Sequence, residues 1–517
     1  MTFLGTLLKK GLKLRESFDK EKGLPQELQA KQLRQILTKA ANTEIGKDGN
    51  FAQLLSSGNG QIEAFYTAYK QALPIFDYNA IFNKYWHKTR QDEKDICWPG
   101  QVKYFALISG TSEASSKYIP VTQDMLRAIR KTGIRQLLSL GKYDDLPSEL
   151  FTKKILMLGG STDLHDAGNY LEGDLSGITT SKLPYWFQNF YKPGQKIARA
   201  KTWDEKLQEI TRKAKDWDIG VIVGVPAWLQ ILMESIIDHY KVDTIHDIWP
   251  NLSIFVHGGV SFDPYRKSFE RLLAKPLVYM ETYLASEGFI AYQSKPQQGA
   301  MDLVLDNGIF MEFVPFVSEN FDADGSVRVD ASTYMIHQVE EGKEYALLLT
   351  TVAGAYRYLI GDVVKIVNKE SCEIVITGRT KHFLSLCGEH LSVDNMTKAA
   401  QAMAEELDIT VNEFTVAGIP YNSLFAHHWI IGSDNEADNT KVKESLDRHL
   451  KALNDDYATE RKHALQDVLV DVVPNSFFYQ FMKHEGKEGG QNKFPRVVKG
   501  DKYDSLLAFL HTWKQEN

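Results

Sequence analysis

Apolar residues along this chain recur in two rhythms, and the switch between them sets the expected fold. Leu33, Ile36, Leu37, Ala40 and Ala41 fall three and four residues apart, the spacing of one helix face, so an early amphipathic helix is expected there. After about Tyr104, short apolar runs alternate with helical stretches. Lys154–Leu158 and residues 220–225, 252–256 and 277–280 read as strands, while 228–240 and 264–273 read as helices. Such alternation implies a largely parallel sheet covered by helices. The most apolar stretch, residues 219–233, is broken by Pro226 and is shorter than the ~20 residues of a membrane span. It reads instead as a buried strand entering a helix near the proline. Across residues 308–367 the runs (GIFMEFVPF, YALLLTTVAG, DVVKIV) become β-rich, predicting a barrel-like or antiparallel subregion.

A second lobe is expected to begin near Gly378-Arg379-Thr380-Lys381, with enough strand-like and helical segments beyond it for a small α+β unit. The expected architecture is therefore α/β: a large lobe, 1–378, of mixed, largely parallel sheets covered by helices, and a small, mobile lobe, 379–517. The tract HEGKEGGQNKFPR, residues 484–496, is glycine-rich and charged, as expected of a loop. At the start, MTFLGTLLKKGLKLR carries its apolar run before its charges, the wrong order for a secretory signal. An amphipathic helix docked on the body is the expected reading, with weak membrane-surface contact as the minor alternative.

Composition narrows the partners. With 517 residues, the chain is too long for one simple core. A net charge of −7 argues against nucleic acid, whose phosphates need clustered Lys and Arg. Cys97, Cys372 and Cys387 have no metal-ligand spacing and fit a reducing, cytoplasmic compartment. No transmembrane segment is expected.

Four segments carry candidate chemistry, each with a plain structural reading beside it. Ser109-Gly110-Thr111-Ser112-Glu113-Ala114-Ser115-Ser116-Lys117 follows a strand-like YFALI. Small residues let backbone N–H groups and hydroxyls surround phosphate oxygens, and Lys117 adds charge; an ordinary surface turn explains it equally. Glu281-Thr282-Tyr283-Leu284-Ala285-Ser286-Glu287-Gly288 follows the strand 277–280, where ligand crevices open in parallel sheets. An aromatic face there suits a purine, Ser286 a phosphate and Glu287 a Mg²⁺ ion. A strand-to-helix loop with an N-capping Ser286 is the plain alternative. Gly361-Asp362 suits ribose hydroxyls or a hairpin turn. Lys493, in the late loop, could neutralise charge developing at an α-phosphate, or simply be solvated. Outside these four, Gly159-Gly160-Ser161-Thr162 has the look of a phosphate cradle, but a turn after the strand Lys154–Leu158 explains it, with a share in an acyl pocket as the second reading.

In order, these segments resemble the adenylate-forming superfamily of acyl-CoA synthetases, adenylation domains and luciferases. ALISGTSEASSKYIP, YLASEGF, YRYLIGDVVKI and QNKFPR are similar, more narrowly, to the auxin-responsive promoter (Gretchen Hagen-type) family of acyl acid–amido synthetases, in a bacterial-type version, from about residue 20 onward. The resemblance implies ATP and Mg²⁺ as cofactors. Ser109, Thr111, Ser112 and Lys117 would meet phosphates, and Gly258 and Gly259 would let backbone approach the nucleotide or acyl group. Tyr283 would stack on adenine with Glu281 beside its amino group. Ser286 would touch the α-phosphate, Glu287 would bind Mg²⁺, and Asp362, helped by Lys365 and Arg379, would hold the ribose. Lys493 would serve the adenylation step.

Three positions depart from the family pattern: Ile108, Ala114 and Leu359, the last standing where an arginine is usual. Arg357 is the nearest substitute for it. The activity implied joins a small carboxylic acid to an amine, such as an amino acid, through an acyl-adenylate. A coenzyme A thiol as acceptor and a non-catalytic nucleotide-binding protein are the alternatives.

Overall fold

A computed structural model describes residues 11, 23–57, 61–108, 117–200, 202–259, 262–296, 299–322, 325–380, 384, 391, 393–421, 424–462, 465–487 and 494–516. The chain divides into two compact units. One contains Ser115–Gly259 and Leu273–Ile376 together with most of the first 110 residues; the other contains Val260–Leu272 and Thr377–Asn517.

The first unit is built on a sheet of eleven strands. In chain order the main strands of this unit are β1 (Tyr104–Ile108), β2 (Lys117–Val121), β3 (Lys154–Leu158), β4 (Ile219–Gly224), β5 (Ile254–Gly258), β6 (Val278–Ala285), β7 (Gly288–Tyr292), β8 (Met301–Leu303), β9 (Ile309–Pro315), β10 (Glu344–Thr351), β11 (Tyr358–Asn368) and β12 (Glu373–Arg379). The spatial order of the large sheet is β9-β10-β11-β12-β8-β7-β6-β5-β4-β3, closed by the short strand Tyr191–Lys192. β3, β4, β5 and β6 pair in parallel. The β-rich stretch forms the antiparallel half of this sheet. β1 and β2 belong to a separate four-stranded sheet.

Helix α1 (Pro25–Ala40) buries Leu33, Ile36, Leu37 and Ala40, as its spacing requires. It also buries Gln29, which donates to the carbonyls of Leu305 and Ile309 at 2.8 and 3.0 Å and accepts from the Met311 N–H at 2.7 Å. β9 is an edge strand, and this one amide occupies backbone groups that would otherwise be open to pairing. Further helices are α2 (Gln123–Ser139), α3 (Leu175–Ser181), α4 (Trp203–Lys213) and α5 (Pro226–Tyr240), the last starting on its proline as expected.

Two expectations change. The helix expected over 264–273 is a 3₁₀ turn, Asp263–Tyr265, followed by a short helix, Arg266–Glu270. Arg357 does not serve a nucleotide from a displaced position. It adopts a left-handed backbone conformation (φ 42°), and its guanidinium is buried against Glu312 at 3.1 Å. It also donates to the carbonyls of Lys70 and Leu73 at 3.0 and 2.8 Å. Tyr66 donates to the same Glu312 at 3.0 Å. The arginine therefore ties helix Ile62–Ala72 to the sheet, and Leu359 beside it is buried with Val314, Ala346 and Leu348.

The second unit has a three-stranded sheet, β13 (Glu413–Tyr421), β14 (Leu424–Gly432) and β15 (Leu465–Val473), with β14 in the middle. Helices α6 (Val393–Glu406) and α7 (Asn439–Leu453) contribute Met396, Met403, Val442 and Leu446 to its core. His428 is buried between Tyr503 Oη, at 2.7 Å, and Asp471 Oδ2, at 3.0 Å, a structural placement.

Removing one partner of a buried ion pair strands the other. Arg357→Ala should therefore lower the unfolding free energy by about 3–5 kcal/mol, measured by urea denaturation. A loss below about 1 kcal/mol, the range of an exposed pair, would show that the pair does not anchor the sheet.

Candidate active site

Parallel pairing aligns four strand ends. Leu158 of β3 is opposite Gly224 of β4, Gly224 opposite His257 of β5, and His257 opposite Glu281 of β6. Loops leaving such a row share one edge of the sheet, the place where open parallel sheets bind ligands. Gly258 follows within β5; a Cβ on it would lie 2.3 Å from the Thr282 carbonyl oxygen, so no side chain fits. Gly259 then takes a left-handed conformation (φ 85°).

The segment expected as a loop after residues 277–280 is strand through Ala285. β6 continues to its end and turns back into β7 through Ser286 and Glu287, with Ala285 opposite Gly288. Ser286 therefore caps no helix. Glu287 is buried, 4% exposed, although it sits in a two-residue turn. Two glutamines that carry no motif brace the strand. The Glu281 N–H donates to Gln293 Oε1 at 3.2 Å, and Gln136 of α2 donates to Thr282 Oγ1 at 2.7 Å.

Gly361 and Asp362 lie inside β11, not in a turn between strands. Pairing with β10 slips there: Ala346 faces Val363 while Leu348 faces Leu359. Ile360, Gly361 and Asp362 stand against Leu347 alone, and these two extra residues make a bulge, which re-aims side chains locally. Asp362 is half-buried, and its Oδ2 accepts a 2.5 Å hydrogen bond from Tyr283 Oη. Four strand steps separate β11 from β6 in the sheet, on the order of 19 Å if the sheet were flat. Their side chains meet because this half of the sheet curls, in the manner of the expected barrel-like subregion.

Other candidates are dispersed. Lys117, at the start of β2, has its ammonium 5.4 Å from the Tyr78 ring centroid. Lys365 is exposed opposite Glu344 and forms no bond with Asp362. Arg379 ends β12 and is exposed; the division between the units falls within this strand, after Ile376, and leaves Arg379 to the second. Ser109, Thr111, Ser112 and Lys493 lie outside the described residues. The chain following Lys493 is firmly held within the second unit. Arg496 donates to Glu413 Oε2 at 2.8 Å and stacks over the Phe414 ring, while Tyr265 donates to the same Glu413.

A further polar group lies at the carboxyl end of β3. Lys206 of α4 is buried and donates to the Gly159 carbonyl at 2.9 Å. Burial pushes its ammonium down to about 8, against the pull of Asp174. Burial likewise raises the Asp174 carboxyl, which Lys206 opposes.

The first unit matches the GH3 family N-terminal domain over residues 14–168 and 165–277 and the GH3 family central domain over 302–379; residues 394–502 match the GH3 family C-terminal domain. In three dimensions the chain is similar to the GH3.15 acyl acid amido synthetase, with a TM-score of 0.77 and 17% identity, over 98% of this chain and 96% of that one. That likeness defines the fold class. The chain belongs to the GH3 family. It is 26% identical over 284 residues to a jasmonoyl–L-amino acid synthetase, JAR6, of Nicotiana attenuata, covering 52% of this chain and 47% of that protein. Against the jasmonoyl–L-amino acid synthetase GH3.5 of Oryza sativa subsp. japonica, identity is 30% over 385 residues, 62% of this chain and 66% of the relative. The chain thus spans about half the length of the Nicotiana relative.

The Lys206 environment sets a pH signature. The unfolded ammonium titrates near 10.5 and the folded one near 8, so between these values the unfolded state binds more protons. The cost of burying the charge is fully present below about pH 8 and is relieved as pH rises toward 10.5. Lys206→Met should flatten the rise in stability across that window in a denaturation series. An unchanged slope would mean that the ammonium is not buried as described.

Proposed function

We propose that this chain is an ATP-dependent acyl acid–amido synthetase. It activates a carboxylic acid as an acyl-adenylate, releasing pyrophosphate, and passes the acyl group to an amine such as that of an amino acid. The observation that carries the reading is the meeting of Tyr283 and Asp362, two motif residues far apart in sequence, beside the Gly258-Gly259 turn and the Ser286-Glu287 hairpin. Family membership and the printed activities of the relatives support it.

In this reading the Tyr283 ring carries adenine, with Glu281 for the adenine amino group, and Asp362 takes the ribose hydroxyls, helped by Lys365 and Arg379. The hydroxyls of Ser109, Thr111 and Ser112, with Lys117, surround phosphates, and Ser286 reaches the α-phosphate. Glu287 offers the carboxylate oxygens that suit Mg²⁺, which is commonly held by one or two carboxylates plus substrate phosphates. Among the described residues no group of three or more His, Cys, Asp and Glu could hold a metal on its own, so the phosphates would complete the shell. When bound, the ion would neutralise phosphate charge. Lys493 brings a further cation as the acid's carboxylate attacks the α-phosphorus and the bond to pyrophosphate breaks. We infer that residues 379–517 belong to a mobile lobe that carries this lysine.

The test is exchange of labelled pyrophosphate into ATP, driven by a panel of carboxylic acids. The expected result is acid-dependent exchange that Lys493→Ala reduces by about 100-fold or more. No exchange with any acid, or a Lys493→Ala rate equal to that of the unaltered protein, overturns the proposal. Nucleotide binding without turnover would then favour a regulatory role.

A further inference from the structure

The nucleotide reading leaves one polar cluster unused, at the carboxyl end of β3. Gly159 and Gly160 follow Leu158 there, in the row formed with Gly224, His257 and Glu281. The Gly160 N–H donates to Ser176 Oγ at 2.9 Å, and Lys206 holds the Gly159 carbonyl. The turn is pressed onto the start of α3 with no room for side chains. A Cβ on Gly160 would lie 2.1 Å from Asp174 Oδ2, and one on Gly177 would lie 2.1 Å from the Ser161 carbonyl oxygen.

Asp174 is the unusual member. It stands at the N-cap position of α3 yet makes no capping hydrogen bond. Its half-buried carboxylate accepts no hydrogen bond from any described residue, and Lys206 is the charged group whose field reaches it. A carboxylate drawn out of water without donors is costly, and a cationic donor arriving as ligand removes that cost. Its place is also specific. Leu158 is two strand spacings, on the order of 10 Å, from His257, and three from Glu281. The cluster thus lies beside the nucleotide motif on the same edge, where the acyl end of an acyl-adenylate and its acceptor need room.

We propose that Asp174 receives the ammonium group of the incoming amino acid and takes its proton before the amine attacks. This rests on the amido synthetase reading above. An amino acid at neutral pH presents an ammonium, which has no lone pair to attack with. The proton passes from that nitrogen to the Asp174 carboxylate. The freed lone pair forms the C–N bond at the acyl carbon, the C–O bond to AMP breaks with its electron pair leaving on the phosphate oxygen, and the nitrogen gives its second proton to solvent to leave the neutral amide. Burial makes the carboxylate a stronger base, and the Lys206 charge opposes that rise.

The test uses the full chain and separates the two half-reactions. Asp174→Asn should retain acid-dependent pyrophosphate exchange. Release of AMP on adding amino acid to preformed acyl-adenylate should slow by about 100-fold. Hydroxylamine, already neutral at pH 7, should restore most of that rate, because it needs no proton removed before it attacks. Lys206→Gln keeps a donor for the Gly159 carbonyl but removes the charge, and should move the rising limb of the aminolysis pH profile to higher pH. Equal slowing of amino acid and hydroxylamine by Asp174→Asn, or no slowing of either, overturns the proposal. If Asp174→Asn does not fold, an unmoved pH limb in Lys206→Gln overturns it instead. Absence of exchange in the unaltered protein removes the amido synthetase reading itself, a distinct outcome.

Discussion

Backbone pairing between parallel strands is the constraint from which the rest of this molecule follows. Hydrogen bonds fix Leu158, Gly224, His257 and Glu281 in one line, so the segments leaving those strands have no choice but to share an edge. Helices cover the faces of such a sheet and leave that edge open. Small residues then become obligatory where the chain presses on its neighbours, as at Gly258 against Thr282 and at Gly160 against Asp174. The chemistry attributed to the site is an occupant of this geometry.

Curvature supplies the second half of the site. A flat sheet would keep β6 and β11 apart, yet the Tyr283 hydroxyl reaches Asp362. The bulge at Gly361-Asp362 lets one strand deliver an acidic side chain while its neighbours, Leu359 and Val363, stay in apolar surroundings. Arg357 steadies the start of the same strand through Glu312 and two carbonyls, a role that leaves it no freedom to meet a ligand. The Tyr283–Asp362 pair is thus supported by a buried ion pair at the start of β11 and by Gln136 and Gln293 along β6.

Much of this was legible in the amino-acid order because it rests on local periodicity. The alternation of strand and helix from β3 to β6 follows from apolar runs, and the start of α5 from Pro226. Reach across the fold was not legible. Nothing adjacent to Arg357 names Glu312 as its partner, so proximity to Gly361-Asp362 misleads. The Glu281–Gly288 segment mixes polar and apolar residues like a loop, but pairing on both sides of β6 keeps it extended. Asp174 and Lys206 belong to no motif; only the packing of α3 and α4 onto the Gly159-Gly160 turn makes them neighbours. Gln29 looks like any polar residue of an amphipathic helix until the edge of β9 lies beneath it.

The assignment of Val260–Leu272 to the second unit has a consequence for connectivity. The polypeptide passes into that unit after Gly259, comes back at Leu273 and leaves again after Ile376. The units are therefore laced by several covalent threads, not one tether. A protease nick near residue 377 alone would not release either piece. Expressing the tail by itself would omit Tyr265, and with it the phenol that closes the Glu413–Arg496 cluster.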